Sequence, residues 1–187
     1  MDSLGTTFPD LKNREYEIAG IVWHQGFNDK INKQQKEVQF ADYTKWLTMF
    51  IKDLRKDLHA ENAPFVIGEL STGGIPSRGD FQKAQAAAAD LPEFKGNVLA
   101  VQTAPSWDMP LDRVQKQREV LNARKSALKK KIEAGALTDE GTSKELAEIE
   151  TALSSPELGE FWHRGASNAG YHYFGCAKTM ALIGRAF

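Results

Sequence analysis

The hydrophobic positions of this chain fall first into three short segments, at 17–24, 64–70 and 97–103, and each is followed by a polar or proline-containing turn. Within each segment the apolar residues are nearly continuous and do not alternate with polar ones. That pattern is typical of strands covered on both faces, as in parallel sheets. The three segments therefore predict three parallel strands.

Two helical patterns separate these strands. Before the second strand, apolar side chains recur at spacings of three and four and predict one wide stripe, which consists of Phe40, Tyr43, Trp46, Leu47, Phe50, Ile51, Leu54 and Leu58. An alanine-rich segment at about 80–90 predicts a second helix that packs closely on a sheet. This alternation of strands and helices favours right-handed crossover connections in an open α/β sheet.

The segment at about 111–154 has a different character, because its first arm, 112–131, is mostly basic and its second, 133–150, is mostly acidic. We predict two antiparallel helices whose opposite charges face each other, inserted as an excursion into a single domain that spans 1–187. This hairpin is either a solvated excursion or an arm that binds a partner or oligomerises. Its predicted apolar seam consists of Val114, Leu121, Leu128, Ile132, Leu146, Ile149 and Leu153.

A last helix is predicted at about 174–187. Its expected inward positions are Ala177, Met180, Ala181, Ile183 and Gly184.

Composition removes several classes of function. The 24 basic and 25 acidic residues give a net charge of -1, so we expect neither a nucleic acid nor a membrane as partner. A single cysteine, Cys176, excludes an intrachain disulfide and a multi-cysteine metal site. No apolar run approaches the roughly 20 residues that span a bilayer. The first ten residues show no secretory signal, and the compartment stays open.

Candidate chemistry follows from the predicted topology. Ligands of open parallel sheets bind outside the carboxyl ends of the strands. The loops expected at that edge contain His24, Gln25, Asn28, Asp29, Glu69, Ser71, Thr72, Thr103, Ser106, Trp107 and Asp108. His24 and Asp29 alone do not make a zinc site, which needs three or four ligands, and no cofactor is expected.

Two of these features suit acyl transfer. A glutamine side chain and a backbone N–H at Gln25-Gly26 are two donors of the kind that an oxyanion requires; the alternative is a turn capped by an amide. His172 precedes the last predicted helix, whose dipole opposes protonation, so a neutral imidazole could accept a proton from a hydroxyl nucleophile. The alternative is a structural loop histidine.

These residues also carry a resemblance. Positions 23–29 resemble the Trp-x-Gln-Gly-Glu-x-Asp block of sialate O-acetylesterase-like proteins, a branch of the SGNH (GDSL) hydrolase superfamily. Positions 64–69 fit the next strand of that branch, and 81–88 resemble its R-x-A-Q helix, with Lys83 in place of the arginine. Positions 170–173, followed by 177–187, are similar to the block that holds the catalytic histidine.

The resemblance implies a three-layer, flavodoxin-like α/β fold and a carbohydrate O-acetylesterase that transfers the acyl group to a serine. It makes His172 the general base, and its substrate is an acetylated carbohydrate. The implied oxyanion and substrate side consists of Gln25, Gly26, Asp29 and Trp23. The premise of this interpretation is that the sheet edge gathers Gln25 and His172 into one pocket. Proteins of the family are often secreted or periplasmic.

Three departures from the family pattern shape the expectation. Phe27 stands in place of a glutamate, and Ala169 in place of the aspartate three residues before the histidine, which leaves Asp108 and Asn168 as candidate partners of His172. The Gly-Gln-Ser-Asn type block with the nucleophile is absent from the sequence. We therefore expect a sheet incomplete at its N-terminal side, as in the C-terminal part of such a domain, in place of about five strands.

The incomplete sheet has consequences for activity and association. The strand with Val22 should be an unpaired edge beside an exposed apolar patch, and the chain should self-associate through this edge or through the hairpin. Esterase activity should be weak or absent, with Ser71 and Ser106 as fallback nucleophiles. The alternative function is a degenerate, non-catalytic domain that binds sugars or a partner, with stacking surfaces at Trp23, Trp107 and Trp162.

Overall fold

The computed structural model describes residues 4–12, 16–31, 36–71, 73–75, 78–135 and 140–187. The chain folds into two compact units. The first unit consists of Met1–Ser71, Ile75–Pro105 and Ala186–Phe187, and the second of Thr72–Gly74 and Ser106–Arg185. The interpretation of 1–187 as a single domain stays a prediction.

A parallel sheet of three strands organises the first unit. The strands are β1 (Ile21–Trp23), β2 (Phe65–Glu69) and β3 (Val98–Gln102), in the order β1-β2-β3. Ile21 pairs with Phe65, which in turn pairs with Val98. The predicted α/β fold with an incomplete flavodoxin-like parallel sheet is confirmed. Each strand is shorter than its apolar segment, because pairing with β2 begins only at Ile21.

The helices of the first unit are α1 (Leu4–Thr7), α2 (Phe27–Ile31), α3 (Lys36–Asp57) and α4 (Asp80–Ala87). Short 3-10 turns lie at Pro9–Leu11 and Pro92–Phe94, and a third, Ala104–Ser106, ends in the second unit. The helices predicted between the strands are therefore present as α3 and α4.

The core of the first unit lies between the sheet and these two helices. Along α3, the side chains of Tyr43, Leu47 and Ile51 are buried, as the predicted stripe requires. Full burial of such side chains contributes about 1.5–3 kcal/mol each. The prediction for Trp46 is wrong: it is 49% exposed, because the intervening rotation of the helix places it beside the stripe.

Aromatic side chains connect α3 to the sheet. The Phe50 ring lies 4.4 Å from Trp23 and 6.4 Å from Phe65, measured between ring centroids. Phe81 of α4 contacts Tyr43 of α3, with 4.7 Å between the centroids. These contacts fix the helical layer against one face of the sheet.

The other face of the sheet is only partly covered. Val22, Val66 and Leu99 lie opposite each other across the three strands, and Val22 and Leu99 are 54% and 63% exposed. The expectation that both faces are covered is wrong at these two positions. The expected edge position of the Val22 strand and the exposed apolar side chains are both present, since β1 borders the sheet.

The second unit is helical in the residues that the structure describes. Its helices are α5 (Met109–Glu133), α6 (Glu140–Leu153), α7 (Phe161–Gly165) and most of α8 (Ala177–Ala186). A π-helical turn spans Pro156–Glu160, and a 3-10 turn spans His172–Gly175. None of the helices in the described ranges has both the length and the apolar character that crossing a membrane requires.

The charges of α5 and α6 face each other as predicted. Arg124 pairs with Glu145, and Lys125 Nζ lies 2.8 Å from Glu150. Because later residues of α5 meet earlier residues of α6, with Arg118 donating to the carbonyl of Leu153 at 2.9 Å, the helices are antiparallel. Leu128 and Ile149 are the buried members of the predicted seam.

A small aromatic core anchors the remainder of the second unit. It contains Leu111, Trp162, Phe174 and Cys176. In α8 the buried residues are Thr179 and Ile183. The expectation that Ala177, Met180, Ala181 and Gly184 face inward is wrong, because the helix turns the face that carries residues 179 and 183 inward and exposes the others.

Candidate functional site

The turn after β1 places the Gln25-Gly26 pair at the carboxyl end of the first strand. Gly26 is buried and has a φ of +127°, which L residues rarely adopt. A Cβ at this position would lie 2.7 Å from Cζ of Phe81 and 2.9 Å from the hydroxyl of Tyr43. The turn therefore requires glycine for its backbone conformation and for the space it leaves.

The carbonyl of Gln25 is held by two side chains from the helices. Gln85 Nε2 donates to it at 3.2 Å, and the Tyr43 hydroxyl donates at 3.5 Å. Gln85 is fully buried, and its Oε1 accepts from the amide of Leu70 at 2.9 Å. Gln85 thus ties the ends of β1 and β2 together, while the side chain of Gln25 is exposed.

Sequence reasoning noted Gln85 only as a letter of a family motif and gave it no role. The available signal was a polar residue inside an alanine-rich helix expected to pack on a sheet. A buried amide needs partners, since an unsatisfied polar group in the interior costs about 1–3 kcal/mol.

The neighbours of this turn have different surroundings. Trp23 packs on Phe50, on the side of the sheet that α3 covers. His24 points its ring at the edge of Phe187, with 5.7 Å between the centroids, and burial lowers the pKa of His24. Asp29 is half-buried in α2. Burial raises the pKa of Tyr43, and the charge of Asp29 adds to that effect.

The end of β2 is occupied by an ion pair. The buried carboxylate of Glu69 accepts from Arg78 Nε at 2.8 Å and from Nη2 at 2.6 Å. The hydrogen bond to Glu69 raises the pKa of Arg78. The hydroxyl of Thr103, at the end of β3, donates to the carbonyl of Glu69 at 2.6 Å. These groups hold the sheet edge together, and the Glu69 carboxylate is engaged within the protein.

A small cavity lies at this edge and borders Ser71, Arg78 and Gln82. Its volume is about 10 Å³, room for about one water molecule and too small for an ester. Ser106, the other fallback nucleophile, ends the 3-10 turn Ala104–Ser106. Neither serine lies in a tight strand-to-helix turn, and Thr72 lies outside the described residues.

In the second unit, His172 belongs to a loop at 167–175, which we call the His172 loop. His172, Tyr173 and Phe174 have φ values of 49°, 55° and 62°, three left-handed residues in succession. The backbone amides of Ser167 and Asn168 both donate to the carbonyl of Phe174, at 2.9 and 3.0 Å. Because the Phe174 ring is in the core of this unit, the loop is anchored from inside.

The structure brings Asn168 to His172 and directs Asp108 elsewhere. Asn168 Nδ2 lies 2.5 Å from His172 Nδ1. Asp108 caps α5 by accepting from the amide of Leu111 at 3.0 Å, and it accepts from Lys178 Nζ at 3.0 Å. Burial by itself would raise the pKa of Asp108, but the hydrogen bonds from Leu111 and Lys178 outweigh it and lower the pKa.

Two expectations in the second unit need correction. The last helix begins at Ala177, so His172 lies several residues before it, and a dipole effect that is confined to the first turn does not reach it as expected. Trp162 is 8% exposed and packs on Phe174, so it offers no stacking surface. Trp107 packs on Tyr173 and Phe174, and its Nε1 is buried.

Metal binding was examined over the part of the chain that the structure describes. There, no three side chains of the types His, Cys, Asp and Glu lie together in a way that could hold a metal ion. The polar groups at the strand ends are joined to each other by hydrogen bonds. What the described groups offer is hydrogen-bond donors and an imidazole.

Comparison with known proteins identifies the family. The family model for carbohydrate esterase, sialic acid-specific acetylesterase, matches residues 8–115, more than half of the chain. No curated protein matches the chain, and neither does any solved structure. The matched residues contain all three strands, the Gln25-Gly26 turn and Gln85, whereas His172 follows them. The chain therefore belongs to the sialic acid-specific acetylesterase family of carbohydrate esterases, the sialate O-acetylesterase-like branch of the SGNH hydrolases.

Proposed function

We propose that this chain is a carbohydrate O-acetylesterase-like serine hydrolase domain that binds an acetylated carbohydrate but is incomplete for catalysis on its own. The observation that carries the proposal is the family match over residues 8–115, which includes the glycine turn at Gln25-Gly26. The family supplies the type of substrate, and the residues of this chain supply the limits on its chemistry.

The Gln25-Gly26 turn is the proposed contact to the acyl oxygen. An oxyanion is stabilised best by donors that are already fixed in place, since no reorganisation is then needed during the reaction. The contacts to the Gln25 carbonyl from Gln85 and Tyr43 support this role, because they hold the backbone from which the Gln25 side chain and the Gly26 amide extend. Asp29 and Trp23 are proposed as neighbours of the bound sugar.

His172 is the proposed imidazole of the reaction, but its surroundings do not favour a strong base. A histidine that takes a proton from a serine is normally oriented by a carboxylate, which also stabilises the imidazolium ion. In this chain the group next to Nδ1 is the uncharged amide of Asn168. Ser71 has no cavity for an ester beside it. Both observations support slow turnover or none.

Hydrolysis by the purified chain tests the catalytic part of this proposal. We expect no release of acetate from p-nitrophenyl acetate or from O-acetylated sialic acid above the buffer rate. Ser71→Ala and Ser106→Ala should leave that background unchanged. Robust turnover that disappears in Ser71→Ala would show a complete active site and contradict the proposal. An in-frame Gly-Gln-Ser-Asn type block upstream of the codon for Met1 would support the serine hydrolase assignment.

A non-catalytic carbohydrate-binding function is the second candidate, and the amide beside His172 favours it. An imidazole that receives a hydrogen bond at Nδ1 can still donate to a ligand oxygen from Nε2. Titration of the ¹⁵N-labelled chain with O-acetylated sialic acid, and with the same sugar after removal of the acetyl group, tests this function. Binding of the acetylated form without hydrolysis supports it. Equal shifts with both sugars would argue against recognition of the acetyl group.

A further inference from the structure

The contact between Asn168 and His172 determines where the ring can hold its proton. Asn168 Nδ2 lies 2.5 Å from His172 Nδ1. An amide nitrogen is only a donor, so Nδ1 must be the acceptor, and the proton of the neutral ring is then on Nε2. A carboxylate at the same place would require the opposite arrangement, with the proton on Nδ1 and a free lone pair on Nε2.

The backbone of the His172 loop holds these two residues at hydrogen-bonding distance. The carbonyl of Phe174 accepts from the amides of Ser167 and Asn168, which closes the loop on itself. The Ser167 hydroxyl adds a bond to the carbonyl of Gly175 at 3.0 Å. Both side chains are exposed, so their proximity is imposed by the backbone and not by burial.

The backbone conformation of this loop is one that proteins seldom use. His172, Tyr173 and Phe174 are consecutive left-handed residues, and none of them is glycine. Such residues persist only where the surrounding structure over-determines them, and they cluster at functional sites. Here the burial of Tyr173 and Phe174 provides that constraint, and the result is the placement of His172 against Asn168.

We propose that Asn168 is a positioning residue that holds neutral His172 in the Nε2–H tautomer, so that His172 acts as a hydrogen-bond donor to a ligand oxygen and not as a general base. The ligand in this statement rests on the proposed function and is the acyl or hydroxyl oxygen of an acetylated sugar. The tautomer does not depend on that function.

This assignment has a direct chemical consequence. In the proposed tautomer, Nε2 carries the proton and has no lone pair in the ring plane with which to accept one from a hydroxyl nucleophile. If the side chain of Asn168 were rotated by half a turn, its oxygen would accept from Nδ1–H, and Nε2 would be free as a base. The experiment must therefore separate these two orientations.

Long-range ¹H–¹⁵N spectra of the histidine rings read the tautomer directly. The chain has four histidines, and His172→Gln identifies the signals of this one. At a pH of about 8.5, well above the ordinary histidine pKa, we expect His172 in the wild-type chain to be the Nε2–H tautomer. A wild-type spectrum of the Nδ1–H tautomer would overturn the proposal, and this measurement needs no variant that folds.

Two variants sharpen the test. Asn168→Asp replaces the donor with an acceptor, so we expect His172 to change to the Nδ1–H tautomer. Asn168→Ala removes the partner, and the ratio of Nε2–H to Nδ1–H should fall about fivefold, as expected for one hydrogen bond of ordinary strength. Asn122→Asp makes the same change at an exposed position of α5 and should leave the His172 signals in place. An unchanged ring spectrum in Asn168→Asp would contradict the proposal.

Titration with O-acetylated sialic acid tests the ligand part. Asn168→Asp should weaken binding several-fold, because Nε2 then has no proton to donate, while Asn122→Asp should bind as the wild-type chain does. If Asn168→Asp changes the tautomer without any loss of affinity, the donor role is wrong. If the wild-type chain binds no acetylated sugar, the proposed function fails, and the tautomer is still measured independently.

Discussion

The turn after β1 and the His172 loop hold their candidate site residues by different means. At Gln25-Gly26 the backbone is surrounded by buried side chains from two helices, Gln85, Tyr43 and Phe81. In the His172 loop, backbone hydrogen bonds to the carbonyl of Phe174 do most of the work, and the functional side chains are exposed. The first arrangement depends on packing, and the second depends on backbone conformation.

This difference has a general lesson for substitutions. A site held by packing should lose stability when a small residue grows or when a buried amide is removed. A site held by backbone bonds should tolerate changes of exposed side chains and lose only the orientation of its functional group. The predictions below test that distinction in both regions.

The largest effect is expected for Gly26→Ala. The new Cβ would lie 2.7 Å from Phe81 Cζ, in a backbone conformation with a φ of +127°. Strain and overpacking together should lower the free energy of unfolding by at least about 3 kcal/mol, measured by urea denaturation. Gly184→Ala is the matched control, because nothing lies within 4 Å of its Cβ, and in α8 it should stabilise by up to about 1 kcal/mol. Equal effects of the two substitutions would contradict this account of the turn.

Gln85→Leu should have the next largest effect. The substitution keeps the volume roughly constant but leaves the amide of Leu70 without its acceptor and the carbonyl of Gln25 without its closer donor. We expect a loss of about 2–3 kcal/mol in the free energy of unfolding. Gln117→Leu makes the same change at an exposed position of α5 and should stay within about 0.5 kcal/mol of the wild-type chain. A loss below about 1 kcal/mol for Gln85→Leu would mean that Gln85 does not hold the turn.

A smaller effect is expected for Gly175→Ala in the His172 loop. Gly175 has a φ of +61°, and a Cβ there would approach the Ser167 hydroxyl, a group that can move. The expected loss of stability is about 1–2 kcal/mol in thermal or urea unfolding. The double variant Ser167→Ala/Gly175→Ala should recover part of it, because the obstructing oxygen is gone. A loss as large as that of Gly26→Ala would erase the proposed difference between the two regions.

The smallest effect is the pH dependence that comes from His24. Burial lowers the pKa of His24 in the folded chain below its usual value of 6.5. The unfolded chain therefore takes up the proton more readily, and this contribution to stability is lost as the pH falls below about 6.5. We expect the unfolding midpoint to fall less between pH 7 and pH 5 in His24→Asn than in the wild-type chain. His59→Asn, at an exposed position, is the control; an identical pH response of His24→Asn and wild type would exclude His24 as a source.

The elements followed well from the periodicity of the sequence. The long apolar stripe predicted α3, and the buried residues Leu47 and Ile51 lie on it. The charge pattern predicted the antiparallel contact of α5 and α6, which the pair Lys125–Glu150 shows. Periodicity was less reliable for short segments, as in α8, where it placed Met180 inward and missed Thr179. A single polar residue on a short buried face is invisible to a hydrophobic pattern.

The partners of the site residues could not be predicted in the same way. The sequence offered Asp108 and Asn168 equally as neighbours of His172, because both are within reach of the same helical unit. The structure gives Asp108 to Lys178 and to the start of α5, and it gives Asn168 to His172. That choice depends on a chain reversal with left-handed residues, which has no signature in residue type.

By itself, the sequence determined the α/β class, the three parallel strands, the acid–base helical hairpin and the resemblance that the family match then confirmed. Those features arise from local periodicity and from motifs that lie within short stretches of chain. Only the tertiary structure decided that Gln85 holds the Gln25 carbonyl, that Arg78 neutralises Glu69, and that one sheet face leaves Val22 and Leu99 exposed. Each of these depends on which distant segments meet, and burial and hydrogen bonding are settled by that meeting and not by the order of the residues.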